Sequence, residues 1–272
     1  MRFGIKAISF TDNNVMKKTV MLTDMAVEFC KSTPKRDDGV IKYYEVDIDG
    51  ELAKKLNRPV GKYSTLESSC VVESDTASYN RLSGALGRCI KSYLKGCKRI
   101  MAVGLGNPDL TADALGDRVF KRLAVNRHLS DDSKYLCALT PNVLGMTGIE
   151  SFDIIAAVVD RIKPDAVIAV DALTAAASER IASAFQVTDS GITPGSGVDN
   201  HRRRIDRESL GVRVVSVGVP LVVYASTIAR DYSGESKSRR GDMIVTPKDV
   251  DVLVDDCAKI IAGGINGAFS LR

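Results

Sequence analysis

The sequence predicts an α/β fold: a single domain with a largely parallel central sheet flanked by helices. Three observations point there. Ile100–Val103 and Ala166–Val170 are short apolar runs bounded by turn-forming or charged residues, the mark of strands buried on both faces. A third apolar run, Val212–Val219, follows them. Stretches with helical spacing of apolar residues alternate with these runs, and neither a repeat nor a linker divides the chain.

In chain order, residues 1–24 are polar, weakly patterned and read as an appended segment. Residues 40–49 (VIKYYEVDID) mix aromatic and β-branched side chains with partial alternation, which predicts a strand. Pro59-Val60-Gly61 marks a turn. Leu86, Ile90 and Leu94 give Ser83–Leu94 a helical face. The strand at 100–103 runs into Gly104-Leu105-Gly106-Asn107. Thr147-Gly148-Ile149-Glu150 has the form of a capping box, so a helix is expected from there through Ile162, stopped by Lys163-Pro164. The next strand runs straight into Asp171 as its last step. A helix is expected around Ser178–Phe185, and the strand from Val212 is expected to end at Pro220. Val250, Leu253, Val254, Cys257, Ile260 and Ile261 form one helix face, capped by Thr246, Pro247 and Asp249, with Gly263-Gly264 as its end or break.

Composition narrows the function classes. A chain of 272 residues, 44% hydrophobic and 26% charged, is neither collagen-like nor disordered. No apolar stretch is long enough to span a membrane, and the start lacks the apolar core of a secretory signal, so a cytoplasmic protein is expected. A net charge of +4 is too small to argue for nucleic-acid binding. The basic run His201-Arg202-Arg203-Arg204 reads as a solvated segment or as a patch for an acidic partner. Cysteines 30, 70, 89, 97, 137 and 257 form no CxxC pair, and His128 and His201 are the only histidines. Reduced, mostly buried thiols are expected, with no metal and no cofactor.

Two acids carry the chemical argument. Ligands of open parallel sheets bind outside the carboxyl ends of the strands, where Asp113 follows one strand and Asp171 ends another. A close carboxyl pair shares a proton, so one member can activate water while the other protonates the substrate. The alternative is that each acid caps a following helix. Gly104-Leu105-Gly106-Asn107-Pro108-Asp109 fails the dinucleotide fingerprint at Asp109, and its glycines fit a tight strand exit. The loop Thr188–Gly197 is rich in backbone N–H groups able to hold a carbonyl or an anion, but its Ser196 lies in G-S-G, not G-x-S-x-G.

Together these motifs resemble the germination protease family, spore endopeptidases that degrade small acid-soluble spore proteins. The resemblance runs through Val103-Gly-Leu-Gly-Asn107, Thr111-x-Asp113-Ala-Leu-Gly116, Met146-Thr-Gly-Ile-Glu150 and Pro164-Asp-x-Val-Ile-Ala-x-Asp-Ala-Leu173. It continues through Asp189-Ser-Gly-Ile-x-Pro-Gly-Ser-Gly-Val198, Val217-Gly-Val-Pro220 and Val245-Thr-Pro-Lys-Asp249, with Gly61-Lys-Tyr-x-Thr-Leu-Glu67 upstream. It implies an atypical aspartic endopeptidase, with Asp113 and Asp171 as the catalytic pair and a sheet similar to that of hydrogenase-maturation endopeptidases. It also implies a homotetramer in the spore core, made as a self-processing zymogen. Thr23-Asp24-Met25-Ala26-Val27-Glu28 matches the family's processing pattern, so the implied cut is Asp24–Met25, leaving 1–24 as propeptide and 25–272 as peptidase domain. The same hexapeptide also reads as a helix start with Thr23 as cap. Gly106, Asn107, Gly195 and Ser196 are the expected substrate-positioning residues.

The sequence departs from the family pattern in places, and the first of these bears on substrate choice. A basic residue often found near Ala176 is missing, Ala112 and Asp117 replace prolines, and the chain is short between Arg230 and Met243. The competing reading is a metallopeptidase of the hydrogenase-maturation type, with His201 beside the acids. A third is a binding protein that keeps the fold with an idle site.

Overall fold

The computed structural model describes residues 23–30, 32–129, 133–194, 203–233 and 243–269. The chain enters through a single helical turn, α1 (Ala26–Phe29), then forms β1 (Arg36–Asp37), β2 (Lys42–Ile48), α2 (Gly50–Leu56) and β3 (Gly61–Glu67). Helix α3 (Tyr79–Tyr93) leads to β4 (Arg99–Gly104), a 3₁₀ turn at Thr111–Asp113, α4 (Leu115–Phe120) and β5 (Tyr135–Leu139). Then come α5 (Leu144–Thr147), α6 (Ser151–Ile162), β6 (Ala166–Ala175) and β7 (Ala184–Thr188). The described chain closes with α7 (Arg207–Leu210), β8 (Arg213–Tyr224), α8 (Ala225–Ser233), β9 (Ile244–Val245) and α9 (Val250–Phe269).

All the strands join one sheet in the order β1-β2-β3-β7-β8-β6-β4-β5, with β9 added to β8. The three apolar runs form parallel strands β4, β6 and β8, and β5, which the sequence did not mark, extends the parallel part beside β4. An antiparallel wing of β7, β3, β2 and β1 widens it. Residues of α3, α4 and α9 share one core with Ile100, Ile168, Val170, Val215 and Val217. Helix α6 covers the other face through Phe152, Ile155 and Val159, packed with Met101, Val103 and Val167. No helix among the described residues is long and apolar enough to cross a membrane.

Several local expectations give way to tertiary packing. Strand β6 does not stop at Asp171 but continues to Ala175, because β8 runs on beside it, with a register shift between Leu173 and Thr174. Strand β8 likewise runs through Pro220 to Tyr224. The helix expected around Ser178–Phe185 is a 3₁₀ turn at Ser178–Arg180 followed by β7, drawn into the sheet between β3 and β8. Thr147 caps nothing: it ends α5, Gly148 turns left-handed at φ +70°, and α6 begins after Glu150. Gly263-Gly264 neither ends nor breaks α9, which passes through both. They bring α9 against α3, where a Cβ on Gly87 would lie 2.5 Å from the Gly264 carbonyl oxygen.

Two members of the basic run are described, and both are engaged. The Arg203 guanidinium stands 3.9 Å over the Phe152 ring, and Arg204 pairs with Asp206 at 2.9 Å and donates to the Ser190 carbonyl.

Candidate active site

Beyond Val170, β4 leaves the edge of β6, and a cleft of about 830 Å³ opens above the strand ends. Asp113 and Asp171 both line it. Asp113 closes the 3₁₀ turn after β4, and its Oδ2 accepts the Asn107 backbone N–H at 2.7 Å. The turn is drawn in tightly: Gly106 has φ +99°, and a Cβ there would lie 2.0 Å from the Asp113 carbonyl oxygen. Glycine alone fits such a position. The Gly106–Asn107 turn therefore serves to hold Asp113. Asp171 is 6% exposed within β6, and its Oδ1 accepts the Ala172 N–H at 3.0 Å. Neither acid caps a helix, since α4 starts without a side-chain cap and Asp171 lies inside a strand.

Sheet register adds a residue that the sequence did not mark. Gln186 of β7 and Asp171 of β6 both pair with Gly218 of β8, so one row crosses three strands. All three residues line the cleft. Two strand spacings, about 10 Å, separate the flanking backbones. Leu173 lies over the central position, where a Cβ on Gly218 would meet it at 2.5 Å. Ser216, two residues back along β8 on the same face, has a buried hydroxyl that makes no hydrogen bond among the described residues.

The segment expected to carry the processing bond sits in this cleft. Asp24 donates its N–H to the Thr174 carbonyl at 2.9 Å, and its Oδ2 accepts the Thr174 N–H at 2.9 Å. The Gln186 side chain spans the Asp24–Met25 peptide. Its Nε2 donates to the Asp24 carbonyl oxygen at 2.9 Å, and its Oε1 accepts the Ala26 N–H at 2.8 Å. Met25 and Ala26 are fully buried. Thr23 does not cap α1; its hydroxyl accepts the Met25 N–H at 3.0 Å and donates to the Glu28 carboxylate. Arg58 donates to the Thr23 carbonyl and stands 5.1 Å over the Phe29 ring. Burial pulls this guanidinium below its ordinary value, and the Asp24 charge opposes the shift.

Glu28 answers the missing basic residue near Ala176. Its Oε2 accepts the Ala176 N–H at 2.8 Å, and its Oε1 pairs with Arg180 Nη1 at 3.2 Å. Arg180 Nε also holds Glu67 at 2.8 Å. Burial alone would lower the Arg180 guanidinium, but Glu67 and then Glu28 outweigh it and hold it above its ordinary value. Arg180, four residues beyond Ala176, is the cation that meets Glu28. Gly195, Ser196 and His201 lie outside the described residues.

Comparison with known proteins decides the family. The sequence model of the germination protease family matches residues 11–233. The chain belongs to the germination protease family. A germination protease of Clostridium perfringens (strain SM101) is 36% identical, over 88% of this chain and 87% of its own. That of Caldanaerobacter subterraneus subsp. tengcongensis is 37% identical over 83% and 84%, and that of Bacillus subtilis (strain 168) 32% over 86% and 84%. Among solved structures, the [NiFe] hydrogenase maturation protease HycI from Thermococcus kodakarensis KOD1 aligns over 65% of this chain and 99% of its own. Its TM-score is 0.36 and its identity 22%, a likeness too distant to bear on chemistry. As a germination protease family member, the chain is a peptidase by descent.

Proposed function

We propose that the chain is a self-processing aspartic endopeptidase that initiates degradation of small acid-soluble spore proteins at germination. In this reading residues 1–24 are a propeptide, and 25–272 form a peptidase that works in the spore core as a homotetramer. Asp113 and Asp171 form the working pair. One takes a proton from water as its oxygen attacks the Asp24 carbonyl carbon. The other gives a proton to the Met25 nitrogen as the C–N bond breaks. The Gly106–Asn107 turn and the 190–197 loop, with Gly195 and Ser196, position the peptide, and the Asn107 N–H also holds Asp113.

One observation carries this reading: Asp24, whose carbonyl belongs to the matching processing bond, lines the same cleft as the two aspartates. The test is incubation of the purified chain with EDTA at mildly acidic pH, beside Asp113→Asn and Asp171→Asn, followed by intact mass. Loss of the segment ending at Asp24 is expected in the wild type only. Shortening of either variant would remove the pair from the chemistry. Arrest by EDTA would favour the metallopeptidase reading. Light scattering of the same samples checks the tetramer.

A further inference from the structure

The contacts that seat Thr23–Glu28 are of two kinds. Gln186 touches only backbone, the Asp24 carbonyl oxygen and the Ala26 N–H, one on each side of the Asp24–Met25 bond. Such contacts suit any chain in the same extended pose. The Thr174 carbonyl and Arg58 likewise take backbone groups, the Asp24 N–H and the Thr23 carbonyl, while two carboxylates are held through their side chains: Asp24 on the Thr174 N–H, and Glu28 between Arg180 and the Ala176 N–H. Between them Ala26 is fully buried and clusters with Val46, Ile48 and Tyr63, which leaves its position little room beyond a methyl group.

We propose that these contacts are the subsites that read a protein substrate: Gln186 positions the scissile peptide, and Arg180 with the Ala176 N–H selects a glutamate four residues beyond Asp24. The proposal rests on reading Asp24–Met25 as the processed bond. The arrangement also explains how the subsite survives when empty. Arg180 keeps Glu67 as its own partner, so departure of Glu28 leaves a balanced ion pair and no lone buried charge. A neutral side chain in place of Glu28 would forfeit the charge-assisted bonds, and a lysine would meet the guanidinium directly.

The test offers two peptides to the full chain: residues 20–31 of its own sequence, and the same peptide with Glu28→Lys. Wild type is expected to cut the first after Asp24, with a KM for the second higher by roughly tenfold or more and a smaller change in kcat. Arg180→Glu is expected to invert that preference, and Arg180→Lys to keep it with a smaller margin. Gln186→Leu should lower kcat/KM for both peptides alike and leave their ratio intact. Equal KM values for the two peptides with wild type would overturn the proposal without any variant, and so would an Arg180→Glu chain with the wild-type preference. Binding of both labelled peptides is measured alongside on Asp171→Asn that also carries Glu28→Lys in its own segment, so that the resident segment does not hold the Arg180 subsite. If wild type cuts neither peptide but this double variant still favours the first, the subsites stand and the endopeptidase reading fails. No preference in either assay sinks the subsites.

Discussion

Asn107 and Asp113 are joined by a 2.7 Å hydrogen bond from backbone N–H to side-chain carboxylate, closed over a glycine that tolerates no side chain. The geometry of the cleft acid thus depends on a residue with no chemistry of its own. Gly106→Ala places a methyl 2.0 Å from the Asp113 carbonyl oxygen at φ +99°. The left-handed backbone alone costs roughly 1–2 kcal/mol. Self-processing, followed by intact mass, should fall by about tenfold or more because a small misplacement of a reacting group is expensive in rate. Asp113→Asn should abolish it while thermal melting stays close to wild type.

The crossing of α3 and α9 makes a purely structural prediction. Gly87→Ala would drive its methyl to 2.5 Å from the Gly264 carbonyl oxygen, between two backbones that cannot both retreat. A loss of about 1–3 kcal/mol is expected in urea denaturation. Gly267→Ala, in the same α9 with nothing within 4 Å of the new methyl, is the control. It should hold or raise stability, since alanine favours a helix over glycine by about 1 kcal/mol.

Asp165 should give the fold a pH-dependent tie. Its carboxylate accepts the Lys98 and Arg99 backbone N–H groups at 2.8 and 2.9 Å and the Arg99 side chain at 2.7 and 2.9 Å. Burial pushes its carboxyl upward, but these bonds win and hold it below its ordinary value. A carboxyl that is more acidic folded than unfolded stabilises above its unfolded pKa, about 3.9, and loses that contribution as pH falls through the folded value. Asp165→Asn should therefore melt below wild type near about pH 6, with the gap narrowing below about pH 4.

Thiol chemistry should report burial. Desolvation pushes Cys89 up to about 11 and raises the fully buried Cys257 as well. Thiolate is the reactive form. Iodoacetamide near neutral pH should leave both unlabelled in the folded chain and label both in guanidinium, which peptide mass mapping would show.

The parts of the fold legible in the sequence are those whose signal is local. Ile100–Val103 and Ala166–Val170 are apolar throughout because they are covered on both faces, and the stripe from Val250 to Ile261 faces one core. What escaped was decided by distant partners. Phe185-Gln186-Val187-Thr188 alternates as a strand does, but its pull into the sheet comes from β3 and β8. Gly263-Gly264 looks like a helix stop until α3 supplies the neighbour that needs them. The site divides in the same way. Asp113 and Asp171 were visible as acids beside strand ends. Gln186 and Arg180 acquire meaning only from a segment more than 150 residues earlier.

The early departure of β4 from β6 has a consequence for what this cleft can accept. The Thr174 carbonyl, past the point where β4 stops, is taken by the Asp24 N–H. A protein that replaces Asp24 there must arrive with its own amide groups unengaged, and a helix or an interior strand has none to give. On the proposed reading, well-folded domains would be turned away at the threshold whatever their sequence. Vulnerability to this cleft would then be a property of the target's disorder: a chain becomes prey when it lets go of whatever kept it folded.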